Sequence, residues 1–223
     1  MIPVIIFGTG TMARLAWHIF EHETTSPVAG FCVDRQYYTR KEFCGLPVFP
    51  AENLVHSHPP DKYRIFIALG YQKLNTVRRD VFMHYESLGY RFSSCISSRS
   101  FIMNDGNIGR NSFIMEGTVI QPFSTVGDNC ICWSGSVISH ESRIGDHCFL
   151  AAHSVVGGQT EIGAETFLGI NATVRDAVHV GRRCLIGAGS LVLHDIPDGG
   201  VVAEKATPLA PYDTTKALTY IPI

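Results

Sequence analysis

The sequence predicts a small α/β domain with a parallel sheet, joined directly to a parallel β-helix. Two observations carry that prediction. From Ile108 the chain divides into fifteen consecutive hexads without an insertion, from IGRNSF, IMEGTV and IQPFST through to IGAGSL and VLHDIP. Before residue 96 that beat is absent, and short apolar runs alternate with stretches of helical period instead. Alternation of that kind implies parallel strands with crossover helices.

Hexapeptide repeats belong to parallel β-helices. Six is divisible by two, so each hexad can form a short strand with fixed inward and outward positions. The first position is Ile, Leu or Val in every hexad except at Cys132. The fifth is Ser, Thr, Cys, Ala or Val in all but the last, which has Ile196. Both positions point inward in a narrow triangular tube. Two looser hexads start at Ile96 and Ile102, so the helix is expected over 96–197. Three hexads make one coil, residues 18 apart stack at about 4.8 Å, and the column is roughly 27 Å long.

The first domain is expected over 1–95. Val4–Phe7 reads as a strand, Met12 to about Glu21 as a helix, and Val28–Val33 as a second strand ending at Asp34. Leu46–Phe49 and Tyr63–Leu69 are further strands, Asn75 to about Leu88 is a helix, and Tyr90–Ser94 leads into the coils. After Pro197 the hexad is lost. Residues 198–223, with Pro208, Pro211 and Pro222, are expected to form a cap or arm over the last coil.

The chain has 223 residues, 45% of them hydrophobic, enough for one large or two modest cores. A net charge of −2 without a basic run argues against nucleic acid. No apolar run approaches the ~18–20 residues of a membrane span. The start, MIPVIIFGTGTM, has no basic leader, so no signal peptide is expected and residence is expected to be cytoplasmic. Of seven cysteines, Cys130, Cys148 and Cys184 fill small inward positions and Cys132 an aliphatic one. They are expected to pack as reduced, small hydrophobes. No His-x4-His lies in the coils, and no metal is expected.

Two stretches have the residues for chemistry. Gly8-Thr9-Gly10-Thr11-Met12-Ala13 fits G-x-G-x-x-A between a strand and a helix, with Asp34 about 24 residues on. Glycines admit a phosphate closely and a helix N-terminus favours its charge. An ordinary strand–helix turn is the other reading. His140 occupies the outward third position of its hexad, followed by Glu141. An imidazole there, oriented by a carboxylate, can take a proton near neutral pH. Gly158 lies 18 residues later, where a backbone N–H could meet an acyl oxygen. A solvated surface histidine is the alternative. His153 stacks between Gly135 and Asn171, which suits either a groove or a polar surface ladder.

Tandem aliphatic-Gly-x-x-small-x hexads after a small Rossmann-like domain, with a His-Glu pair near mid-helix, resemble the bacterial sugar acetyltransferases. These include N-acetyltransferases of nucleotide-linked 4-amino sugars and sialic acid O-acetyltransferases. The resemblance implies a left-handed β-helix, a homotrimer with grooves between subunits, and acetyl-CoA as co-substrate. It assigns His140 as general base with Glu141 beside it, and Gly158, Ile170, Asn171, Ala188 and Lys205 to acetyl-CoA. Gly8, Gly10, Thr11, Asp34 and Gly70 match the nucleotide-sugar site. Departures from the family pattern are Thr11-Met12 in the turn, Asp34-Arg35 in place of an acidic pair, Phe149 in place of a second histidine, and Val202-Ala203-Glu204-Lys205 near the end. The implied activity is N-acetylation of a nucleotide-linked amino sugar. An O-acetyltransferase, a non-nucleotide acceptor, or a non-catalytic β-helix scaffold are the alternatives.

Overall fold

The computed structural model describes residues 1–203. Its first part is a six-stranded sheet: β1 (Val4–Phe7), β2 (Val28–Val33), β3 (Glu42–Phe43), β4 (Leu46–Pro50), β5 (Arg64–Ile67) and β6 (Arg91–Phe92), in the order β3-β4-β2-β1-β5-β6. All neighbours are parallel except β3 and β4. The expected parallel sheet is therefore a mixed one. Cys44 and Gly45, both at positive φ, turn Phe43 back onto Leu46, a two-residue hairpin that the short apolar pattern did not reveal. Helix α1 (Thr11–Glu23) packs on one face, while α2 (Leu54–Ser57) and α3 (Thr76–Ser87) pack on the other.

The second part is a prism of three parallel sheets. The first face stacks Cys95–Ile96, Phe113–Ile114, Ile131–Cys132, Phe149–Leu150, Phe167–Leu168, Leu185–Ile186 and Val201–Val202. The second face runs from Phe101–Ile102 to Leu191–Val192, and the third from Thr125–Val126 to His179–Val180. Each register pairs residues 18 apart, such as Val137 with Val155 and Phe149 with Phe167. The first-position side chains from Ile114 to Val192 and the fifth-position ones from Ser112 to Ser190 are buried. All seven cysteines are free thiols, and Cys130, Cys132, Cys148 and Cys184 are buried inside the prism.

The fourth position of every hexad from Asn111 to Gly189 has positive φ. The chain therefore turns each corner with one left-handed residue. Asn, Gly and His accept that conformation readily; Phe123, at φ 64, is the residue least suited to it.

The outward side chains decide what each face does. On the first face Phe113, Ile131 and Phe149 join Val4, Ile6, Phe31, Phe66 and α1 in one apolar cluster, so the α/β part docks there. The third face shows Thr125, Arg143, Glu161 and His179 to solvent. On the second face Phe101, Val119, Val137, Val155, Thr173 and Leu191 form a ribbon along the prism; Phe101 is 62% and Leu191 56% exposed. Among the described residues no helix is long and apolar enough to cross a membrane.

Candidate active site

Burying the corner between the third and first faces under α3 raises a hydrogen-bonding problem. At this corner Asn111 and Asn129 are fully buried, so their carbonyls need protein donors. Arg78, fully buried, donates to the carbonyls of Asn111 (2.7 Å), Asn129 (3.4 Å), Leu69 (3.1 Å) and Ile67. Asn75 Nδ2 donates to His147 O at 2.6 Å. The side chains form a second ladder: Ile67 N–H donates to Asn111 Oδ1 (2.7 Å), Asn111 Nδ2 to Asn129 Oδ1 (2.6 Å), and Asn129 Nδ2 meets His147 Nδ1 (2.9 Å). Burial pushes the His147 imidazole below its usual range and the Arg78 guanidinium down to about 9.

The α/β part holds a cleft of about 810 Å³ at the carboxyl ends of β1, β2 and β5. Gly8, Gly10, Thr11, Asp34 and Gly70 all line it. Five residues chosen from sequence therefore converge on one cavity, in the crevice where open α/β sheets take ligands. Gly8 has φ +119, and a Cβ there would sit 3.1 Å from Ala68 O, so the position requires glycine. Gly10, at φ −93, does not; it opens α1 as an uncapped N-terminus with no acidic side chain in its first turn. That leaves amide donors for an anion. Asp34 is half-buried, and burial, then Glu52, raises its pKa. Tyr71, Gln36, Tyr37 and Gln72 also line the cleft. Gln36 and Tyr37 sit in a single 3-10 turn and Tyr71 and Gln72 in a segment without periodicity, so nothing in the sequence singled them out.

His140 and Glu141 occupy the corner between the second and third faces. The imidazole projects outward, 57% exposed, with Nδ1 3.4 Å from Glu141 Oε2. Gln159 Nε2 also donates to Glu141 (2.9 Å), and these two contacts hold the carboxyl below its usual range. Gly158 lies one coil on, and its backbone forms the shelf under the ring: a Cβ there would be 2.6 Å from His140 Cε1 and Nε2.

The amide of Gly158 departs from expectation. It donates to Asp176 Oδ1 at 2.7 Å, while Gly157 N–H goes to Val174 O (2.9 Å) and Gln159 N–H to His140 O (2.9 Å). None of the three is free for an oxyanion. The physical reason recurs through the coils, since Asp128 and Asp146 accept third-position amides in the same way from Arg110 and Asp128. The aspartates at third positions were the available signal.

Ile170 and Ala188 stack on another corner, between the first and second faces, with Asn171 beside them at φ 56. Ile170 is 54% exposed. His153, on the same corner, lies with its ring over Gly135. One chain thus holds His140 and Gly158 on one edge of the prism and Ile170, Asn171 and Ala188 on another. The cleft sits against the first face, opposite His140. Lys205 lies outside the described residues, as does most of the expected cap. Among the described residues, no group of three or more His, Cys, Asp or Glu is placed to hold a metal ion.

Comparison with known proteins agrees with this architecture. The family model "Bacterial transferase hexapeptide (six repeats)" matches residues 105–140 and 159–194, so the chain carries that repeat. No curated protein sequence matches. Among solved structures, a variant of perosamine N-acetyltransferase from Caulobacter crescentus, in complex with CoA and GDP-perosamine, superimposes with TM-score 0.82 at 25% identity. The match covers 91% of this chain and 93% of that one. The acetyltransferase domain of PglB from Neisseria gonorrhoeae gives 0.79 at 25% identity over 94% and 100%. WeeI from Acinetobacter baumannii, at 18% identity and TM-score 0.78 over 92% and 97%, shares the fold.

Proposed function

We infer that this hexapeptide-repeat chain is a sugar acetyltransferase, moving an acetyl group from acetyl-CoA to the amino group of a nucleotide-linked sugar. The observation that carries the reading is the exposed His140 imidazole, set on a glycine shelf with Glu141 at Nδ1. Its Nε2 lies over the Gly158 shelf and, among the described residues, has no hydrogen-bond partner, so it is open to receive a proton. The similar Caulobacter enzyme, which binds CoA and GDP-perosamine, supports both substrates.

On this reading residues 1–95 form a Rossmann-like nucleotide-sugar domain, 96–197 a left-handed β-helix, and 198–223 a terminal cap or arm. The cleft takes the nucleotide: amides at Thr11 and the open turn at Gly8 and Gly10 receive the phosphates, with Asp34 and Gly70 as flanking walls. Acetyl-CoA supplies the acetyl group as a reactive thioester. The outward Ile170 and the small Ala188 offer its apolar chain a surface, with Asn171 beside it and Lys205 beyond. His140 takes the proton as the amine attacks, and Glu141 orients the ring. Gly158 contributes the shelf; its amide serves an oxyanion only if the Asp176 bond is shared or released.

The placement of these groups supports a homotrimer. Within one chain His140 lies across the prism from the cleft, so no single copy assembles a site. The apolar second face lies between the His140 edge and the Ile170 edge. Packing three copies about that face would cover its ribbon and bring one copy's His140 edge toward the next copy's Ile170 edge and cleft.

The test is His140→Ala in an intact assembly, with turnover expected to fall by ~10²–10⁴. Mixing it with Gly8→Val chains, whose cleft is blocked, is expected to restore part of the activity in mixed trimers. Turnover within about threefold of wild type for His140→Ala would remove it as the base. Absence of rescue in verified mixed trimers would remove the shared site.

A further inference from the structure

We propose that Tyr71 is the platform for the sugar ring of the nucleotide-linked substrate, an inference that rests on the reading of the cleft given above. The strand order fixes direction along the cleft. In the sheet β2 and β5 flank β1 on opposite sides. Asp34 follows β2, the Gly8 turn follows β1, and Gly70-Tyr71 follow β5. A nucleotide with its phosphates at the α1 N-terminus therefore has Asp34 on one side and Tyr71 on the other.

The Tyr71 side is the one that touches the prism. Its ring packs on Phe149 (centroids 4.9 Å, 64°) and Phe167 (5.1 Å, 49°), which are themselves stacked at 5.3 Å. Phe167 opens the run that leads to Ile170 on the exposed edge. The acceptor group must reach the prism edges, so the sugar leaves the phosphates on this side and the nucleoside takes the Asp34 side.

Tyr71 is 56% exposed although three aromatic rings meet there, and it lines the cleft. A pyranose presents a face of C–H bonds, and an aromatic ring offers its electron-rich face to such hydrogens. Tyrosine supplies that contact with little conformational freedom to lose.

The backbone gives an independent reason. Lys73, Leu74 and Asn75 are three successive non-glycine residues at φ 51, 53 and 62. Such a run costs free energy and persists only when its surroundings hold it. Asn75 N–H bonds Tyr71 O (3.2 Å), and Asn75 Nδ2 bonds His147 O (2.6 Å), so the prism itself anchors the turn. The turn fixes Tyr71 at the junction of the two parts, where a ligand spanning both would lie.

The experiment compares affinity for a nucleoside diphosphate with affinity for its amino-sugar conjugate in the full-length protein. GDP with GDP-perosamine, and UDP and dTDP with their 4-amino-sugar conjugates, are the probes; the diphosphate that binds wild type most tightly selects the pair. Tyr71→Leu, which keeps apolar packing on Phe149 and Phe167, is expected to weaken the conjugate about tenfold and leave the diphosphate within about twofold. Tyr71→Phe is expected to preserve both affinities. Equal weakening of both ligands by Tyr71→Leu, or no weakening of either, overturns the inference while the nucleotide-sugar reading stands. If wild type binds none of the diphosphates, the reading of the cleft fails and the inference fails with it.

Discussion

Replacing Arg78 with Met tests how the α/β part is held on the prism. Four carbonyls, the buried ones of Ile67, Asn111 and Asn129 and the part-buried one of Leu69, accept from this one side chain. Methionine fills similar volume and donates nothing. Each stranded acceptor costs roughly 1–3 kcal/mol, or about 8 kcal/mol for four at mid-range. The guanidinium's own burial opposes this. Its fall from 12.5 to about 9 corresponds to about 5 kcal/mol of desolvation that Met would not suffer. The net loss is about 3 kcal/mol. At this chain length that lowers Tm by roughly 6–12 °C in calorimetry at neutral pH. Because the Ile67 and Leu69 carbonyls flank Ala68 in the cleft wall, KM for the nucleotide sugar is expected to rise more than KM for acetyl-CoA. A Tm equal to or above wild type would refute the reasoning, since it would mean that the carbonyls find other donors and the buried cation was a net cost.

Two further outcomes follow from the same geometry. The imidazole of His147, half-buried against Phe82 and Asn129, has a folded pKa below the unfolded 6.5. The unfolded chain therefore binds the extra proton first, and stability is lost as pH falls below about 6.5, the loss being complete below the folded value. Urea titrations across that interval should show a steeper pH dependence for wild type than for His147→Gln; equal slopes would contradict the assignment. At the other edge, Gly158→Ala places a Cβ 2.6 Å from the His140 ring without backbone strain, because φ there is not positive. The exposed ring can swing aside, so Tm should hold while kcat falls by about 10², the effect of misplacing a reacting group by roughly an ångström. A kcat within about threefold of wild type would show that the ring's position over the shelf is immaterial.

The prism was legible because its signal repeats. One inward aliphatic and one inward small residue per hexad leave little freedom, and burial follows that pattern from Ile114 to Val192. The first domain's main strands and helices were legible from apolar runs, and Gly8 from the turn it must make. The β3–β4 hairpin was not, because the two residues of β3 give no alternation to read, although the strand at Leu46 was. In the site, His140 and Glu141 stood out as a titratable pair at an outward position, whereas Tyr71 and Arg78 did not. Their importance is a matter of docking: Tyr71 acquires its meaning from Phe149 and Phe167, more than seventy residues away in sequence, and Arg78 from carbonyls that become needy only when buried. The Gly158 amide misled for a related reason. Spacing places the glycine correctly but does not reveal that the aspartate 18 residues on occupies its N–H.

The three corners of the prism share one backbone geometry, a left-handed residue, and differ only in what side chains surround them. The corner between the third and first faces lies under α3, and its buried carbonyls must be supplied with donors, which fixes Arg78 and Asn75. The corner between the second and third faces stays in water, and the His140 imidazole stands out from it 57% exposed. That leaves the second face, apolar from Phe101 to Leu191 yet uncovered in a single chain. An exposed ribbon of that length is an aggregation hazard in a monomer. On the trimeric reading proposed above, covering it with further copies would remove the hazard and at the same time join the His140 edge to the other half-site, so one stripe of side chains would serve both purposes.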